Sequence, residues 1–307
     1  MRATYNKPPK IVVTTARRSL GLARCLLMDA RAISLGNLPC LVAGSGPPLV
    51  LLAGLMPEAG ISAGSLRRML ESSMRPWVQK REVFCINRRP GLPHGMTMAA
   101  LAAEHARALR EGFGEPVDVL GASTGGSIAQ QLAAEHPDVV RGLVLVSTGC
   151  RLGPYAKLVQ RQIAARVRAG ATRRAAAVMA GALAPPALRL PAACLGWVLA
   201  PRLFSESGLE DMATTIEAED EFDLAGLPTV QAPTFLVGGG RDRFYDADLF
   251  EQTARLIPGC LLEIHPKRGH VTVLSDPRAV AQIRGFLNHD RTGATESQAS
   301  GARPASA

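Results

Sequence analysis

The stretch "VDVLGASTGGSIAQQLAAEHP", residues 117–137, decides the fold. A short apolar run stops at a knot of Gly, Ala, Ser and Thr, and a helical pattern begins at once. A strand that turns straight into a helix leaves almost no room at the turn. Side chains two residues either side of Ser123 would collide, so Gly121 and Gly125 carry none. Gly126 lets the new helix approach its neighbours closely. Such a turn lifts the Ser123 hydroxyl beyond the C-terminal edge of a sheet. It also aims the amide of Thr124, at the helix N-terminus, at any oxygen that gains negative charge beside it.

Moving outward, similar runs recur at 49–53 (LVLLA), 83–86 (VFCI), 143–147 (LVLVS), 234–238 (TFLVG) and 261–265 (LLEIH). Most do not alternate with polar residues, which is how strands covered on both faces look. Helical patterns separate them. "TMAALAAEHARALREGFG" has a cap at Thr97 and stops at Gly112 and Gly114, and the helix after Ser123 ends before Pro137. "DADLFEQTARLIPG" and "DPRAVAQIRGFLNH" each open on Asp, the second with Pro277 in its first turn. This alternation predicts an α/β fold with a mostly parallel, doubly wound sheet. "AISLGNLPCLVAGSGPP" at its front reads as an antiparallel hairpin on the sheet edge, turning at Gly36-Asn37.

Residues 151–229 break the alternation and predict an inserted set of short helices. From Arg151 to Arg202 this insertion holds cations and no acids, whereas "EDMATTIEAEDEFD" is strongly acidic. Such blocks form solvated faces or a mutual salt-bridged interface; a basic mouth for an anionic substrate is the alternative. Residues 32–150 and 230–289 make the core. Residues 1–31 read as a tail or short helix, and 290–307, poor in bulky apolar residues, as a disordered tail.

The 307 residues are 47% hydrophobic, enough for a large core, and carry a net charge of +9. With aromatics at only 4% and no zinc-finger or RNP-type stretch, that charge does not make a nucleic-acid binder. No run approaches the roughly 20 apolar residues that span a bilayer. The six cysteines are scattered without a CxxC pair and read as buried free thiols in a reduced, cytosolic protein. There is no metal-ligand set and no dinucleotide fingerprint, so no cofactor is expected.

"GASTG" fits G-x-S-x-G, the strand-to-helix turn that presents a nucleophilic serine. A serine needs a base on a loop above the sheet edge. His270, after the last strand and preceded by Gly269, fits best, and His265 is second. His105 and His136 lie in or at the end of helices, His94 lies in an early loop, and His289 is near the tail. A carboxylate must fix the imidazole tautomer. Asp242 falls just past a strand and its glycines, while Asp246 reads as a helix cap and Asp248 as a helix residue. A second amide for the oxyanion is expected from the loop "GLMPEAG", at Leu55.

At these residues the chain resembles the α/β-hydrolase superfamily over about 32–289. "GASTGGSIAQQLAAEHPDVVRGLVLVST", "FDLAGLPTVQAPTFLVGGGRD" and "KRGHVTVLSDPRAVAQIRGFL" are similar to its elbow, acid strand and histidine loop. The resemblance implies a helical cap for the insertion, Ser123 as nucleophile, Asp242 as acid and His270 as base. It also implies Thr124 and Leu55 as oxyanion donors. The expected function is hydrolysis of a carboxylic ester, thioester or lactone of a small acyl substrate. A same-fold lyase, a cofactor-free perhydrolase and a non-catalytic ligand-binding protein are the alternatives; a dehalogenase would carry Asp at 123. Met179, Leu183, Trp197 and Phe204 are the residues of the insertion that could line an acyl site, against core packing as the default. The sequence departs from the family at Ala53-Gly54, where His-Gly is common and the histidine braces the loop, and at Asn87, where Asp is common.

Overall fold

A computed structural model of the chain describes residues 29–61, 63–204 and 206–288. The predicted N-terminal tail or helix (up to residue 28), His289, Cys25 and the tail from 290 lie outside the described residues.

The eight described strands are β1 (Arg31–Leu35), β2 (Leu38–Gly44), β3 (Pro48–Leu52), β4 (Glu82–Ile86), β5 (Val117–Ala122), β6 (Val140–Val146), β7 (Thr234–Gly239) and β8 (Leu261–His265). They form one sheet in the order β1-β2-β4-β3-β5-β6-β7-β8. β1, β2 and β4 pair antiparallel in succession, and every pairing from β4 to β8 is parallel. The front hairpin thus forms one edge, turning at Gly36 with φ 56°. β8 forms the other edge and is only partly covered, unlike the strands inside the sheet.

Alternate residues of the central strands feed two cores. Val50, Val119, Leu143 and Leu145 join one with helices α2 (Met98–Phe113) and α3 (Thr124–Glu135). Leu49, Leu51, Leu120, Val144 and Val146 join the other with α1 (Ser65–Met74) and the C-terminal helix α9 (Pro277–Asn288). This split is the period-two signature of strands with both faces buried. The helix ends follow the expected chemistry: Thr97 accepts from the Ala100 amide at 3.1 Å, and Gly114 closes α2 at φ 70°. Helix α1 has no counterpart in the pattern reading. Its buried row is Leu66, Leu70 and Met74, with Glu71 beside it.

Among the described residues, four α-helices fill the segment between β6 and β7: α4 (Pro154–Arg168), α5 (Thr172–Leu183), α6 (Arg189–Leu203) and α7 (Glu206–Asp220). They are 12 to 15 residues long rather than short. The opposite charge blocks meet. Arg168 bridges Glu210 and Glu217 at 2.8 and 2.9 Å, and Arg161 bridges Asp220 at 2.6 Å. The segment closes on itself at its base, where Arg151 and Asp223 form an antiparallel bridge and the Leu224 amide donates to the Cys150 carbonyl at 2.8 Å.

Asp118, on β5, binds Arg81 at 2.8 Å and Arg141 at 2.9 Å. Arg81 also donates to the Leu287 carbonyl of α9. Both side chains of the Arg81–Asp118 pair are nearly inaccessible. Replacing Asp118 by Ala strands a buried guanidinium charge. The variant should lose about 3–5 kcal/mol of unfolding free energy, read from urea denaturation.

The buried-thiol expectation holds for Cys40, Cys85 and Cys150, but Cys194 is exposed and Cys260 half-buried. Burial pushes the Cys85 thiol up to about 12 and also raises Cys40. A thiol reagent at neutral pH should therefore label Cys194 in the native state and reach Cys40 and Cys85 only after unfolding, as peptide mapping would show.

Candidate active site

The turn after β5 has the strain its residues predict. Ser123 sits at φ 52°, ψ −125°, and helix α3 starts at the next residue. A Cβ on Gly125 would lie 2.2 Å from the Leu52 carbonyl oxygen, and one on Gly126 would lie 2.3 Å from Thr148 Cγ2. The glycines therefore let α3 sit directly against the end of β3 and the turn after β6. The Ser123 amide donates to the Val146 carbonyl at 3.0 Å, which fixes the turn to the neighbouring strand.

His270, in the loop after β8, places Nε2 3.0 Å from Ser123 Oγ. Its Nδ1 is 2.8 Å from Asp242 Oδ2, in the loop after β7. The Asp242 side chain is fully buried, and its other oxygen accepts from the amides of Phe244 (2.8 Å) and Tyr245 (3.2 Å). An ionised carboxylate only accepts, so Nδ1 carries the proton and Nε2 is left to accept from the serine. Three side chains drawn from positions 123, 242 and 270 thus form one hydrogen-bonded row over the sheet edge.

The other candidates are engaged elsewhere. His265 Nε2 is 3.1 Å from Gln282 Oε1, and its Nδ1 faces Asp276. His105 is buried inside α2, its Nδ1 donating to the Leu101 carbonyl at 2.7 Å. His94 is 3.4 Å from Arg168, and His136 caps α3. Asp246 caps helix α8 (Ala247–Leu256), accepting from Leu249 at 2.9 Å, and Asp248 lies in its first turn.

Of the two amide donors expected for an oxyanion, Thr124 follows Ser123 directly and Leu55 belongs to the loop after β3. Thr124 opens α3, so its N–H belongs to the first turn, where no intrahelical acceptor exists. The loop after β3 passes close by: a Cβ on Gly54 would be 3.4 Å from Ser123 Cβ, and Leu55 follows it. That loop lacks a bracing histidine but is braced otherwise. Asn87 Nδ2 donates to the carbonyls of Glu58 (3.1 Å) and Gly60 (2.8 Å), and Arg88 donates to the Met56 carbonyl.

Four further residues shape the site and had no signal in the motif reading. Phe244 and Tyr245 lie against the His270 ring at centroid distances of 4.7 and 5.9 Å. Ser147, at φ 50°, donates from Oγ to the His270 carbonyl at 2.8 Å. Glu219, on α7, is fully buried beside the turn. It accepts from Thr124 Oγ1 (2.7 Å), Ser127 Oγ (2.8 Å), Gln160 Nε2 (2.9 Å) and Tyr245 OH (3.3 Å). Of the residues of the insertion considered for an acyl site, Phe204 is core, Met179 packs against the core, and Leu183 and Trp197 are exposed. Trp197 lines an outer groove with Arg173, whose guanidinium lies 4.7 Å over its ring; none of Ser123, Asp242 and His270 lines that groove.

Residues 49–283 match the family model described as "Alpha/beta hydrolase family". The chain belongs to the alpha/beta hydrolase family. Among relatives of this chain, the polyketide synthase ThaQ of Burkholderia thailandensis is 33% identical over 255 residues, 77% of this chain but 11% of that protein. A pimeloyl-[acyl-carrier protein] methyl ester esterase of Chromobacterium violaceum is 29% identical over 270 residues, 81% of this chain and 96% of the esterase. A hydrolase from Pseudomonas aeruginosa shares the fold at TM-score 0.65 and 23% identity, over 85% of this chain and 99% of that one. An enol-lactonase from Burkholderia xenovorans does so at TM-score 0.64 and 20% identity, over 84% and 100%. Among the described residues no helix is long and apolar enough to cross a membrane, and no group of His, Cys, Asp and Glu could hold a metal ion.

Proposed function

We propose that this chain is a serine hydrolase that cleaves a carboxylic ester, thioester or lactone through an acyl-enzyme on Ser123. The observation that carries this reading is the row Asp242–His270–Ser123, with contacts of 2.8 and 3.0 Å. His270 Nε2 takes the Ser123 proton as Oγ attacks the acyl carbon. Asp242 holds the ring and offsets the charge of the imidazolium that forms. The tetrahedral oxyanion rests on the amides of Thr124 and Leu55. His270 then returns the proton to the leaving alcohol or thiol. Water, deprotonated by the same nitrogen, attacks the acyl group and frees Ser123. Residues 151–229 act as the cap over this site. A small acyl substrate and a cytosolic setting belong to the same proposal.

The Chromobacterium relative is named for a methyl ester, and the Burkholderia xenovorans neighbour for an enol-lactone. Both names describe attack on an ester carbonyl, which is why hydrolysis is preferred here over lyase, perhydrolase or binding readings.

The test is labelling with a fluorophosphonate probe followed by turnover of nitrophenyl esters of increasing chain length. Labelling should map to Ser123, and product should appear in a burst equal to the enzyme present when deacylation is slow. A folded protein that takes no label and turns over no ester would sink the proposal.

A further inference from the structure

We infer that Glu219 is a positioning residue for this reaction: it ties the last helix before β7 to both halves of the reacting row. The inference rests on the Ser123 reading above. Glu219 touches none of the reacting atoms. It instead bonds the side chain of the residue after the nucleophile, a second hydroxyl on the same helix, and the ring that lies beneath the base.

Thr124 and Ser127 are the first and fourth residues of α3. Their hydroxyls donate to opposite oxygens of Glu219, at 2.7 and 2.8 Å. With both ends of that first turn held, the Thr124 amide is fixed in direction as well as place. On the other side, Tyr245 donates to Glu219 at 3.3 Å and stacks on His270 with an interplanar angle of 19°. Burial keeps the Tyr245 phenol far above its ordinary range, so it remains a donor. Gln160, on α4, supplies the fourth contact at 2.9 Å. Four donors saturate a carboxylate, and each belongs to a buried residue.

Burial and hydrogen bonding pull the titration of this carboxyl in opposite directions. Burial raises the Glu219 carboxyl above 4.5, against the pull of its donors. A carboxyl raised in the folded state makes stability fall as pH climbs from the unfolded value through the folded one. Thr124, Ser127, Gln160 and Tyr245 face it, and the charges of Glu219 and Asp242 both act on Tyr245. Glu219→Gln should therefore gain melting temperature relative to wild type as pH rises above 4.5.

The experiment compares wild type, Glu219→Gln, Thr124→Val, Tyr245→Phe and the double variant Glu219→Gln/Thr124→Val. For each, kcat and KM on a nitrophenyl ester and the rate of fluorophosphonate labelling are measured. Glu219→Gln should lower kcat and the labelling rate about tenfold to a hundredfold, with KM held within about twofold. Thr124→Val and Tyr245→Phe, which leave Glu219 in place, should each reproduce part of the loss. The double variant should be no worse than Glu219→Gln alone, as expected of residues acting in one unit. Wild-type rates in Glu219→Gln, a loss confined to KM, or losses that simply add would overturn the inference. A wild type that neither labels nor turns over would instead remove the Ser123 reading, and this one with it.

Discussion

Replacing Ser123 by Ala should lower kcat on a nitrophenyl ester by about a million-fold, with no change in melting temperature. The expectation follows from geometry. Ser123 Oγ is the atom 3.0 Å from His270 Nε2. Without it the base has nothing to deprotonate but water, which no turn holds against the carbonyl. The backbone keeps its course, because alanine meets the same strain at φ 52° as serine does. The residual rate should exceed that in water by about a thousandfold or more, from the proposed oxyanion amides and binding. Steady-state kinetics on protein free of wild-type contamination is the measurement. A variant retaining a tenth of the activity would mean that Ser123 is not the nucleophile.

Asp242→Asn should cost about ten thousandfold in kcat while leaving the fold unchanged. The two oxygens of Asp242 face different partners, and that determines how an amide must sit. One accepts from the amides of Phe244 and Tyr245, so the asparagine oxygen has to remain there. Its NH2 group then faces His270 Nδ1, which can no longer donate and becomes the acceptor. The ring proton moves to Nε2, the nitrogen that should be accepting from Ser123. The variant keeps every heavy-atom position and has the wrong tautomer. A pH–rate profile of Asp242→Asn beside wild type checks this, and a loss below tenfold would contradict it.

The elbow and the three-residue row were legible because their backbone demands leave marks in residue identity. Gly121, Gly125 and Gly126 are required by contacts that any larger residue would break. Asp242 follows two glycines at the end of β7, and His270 follows one in the loop after β8. Glu219 left no such mark. It lies in an acidic run whose neighbours Glu210 and Glu217 face Arg168 at the surface, so the run reads as a solvated face. Nothing in composition separates the one acid that turns inward. The bracing of the early loop by Asn87 and Arg88 was hidden for a similar reason. Asn87 looks like a departure from the family pattern until its carbonyl partners are seen, and Arg88 carried no reading of its own. Helix α6 was hard to read because it is apolar all round, without the periodic stripe that fixes a helix's facing. Leu190, Leu195, Trp197 and Val198 are exposed on it, so the default of core packing fails there.

The pinch at Arg151 and Asp223 has a consequence for engineering selectivity. The chain departs from β6 and rejoins at β7 through one narrow doorway between adjacent parallel strands. A foreign helical module could be grafted at that doorway without disturbing a single rung of the ladder. Such a chimera would still lose turnover unless the graft brought its own inward-facing acid to meet Thr124, because the scaffold lends the module three anchoring hydroxyls, from Thr124, Ser127 and Tyr245, and receives a carboxylate in return.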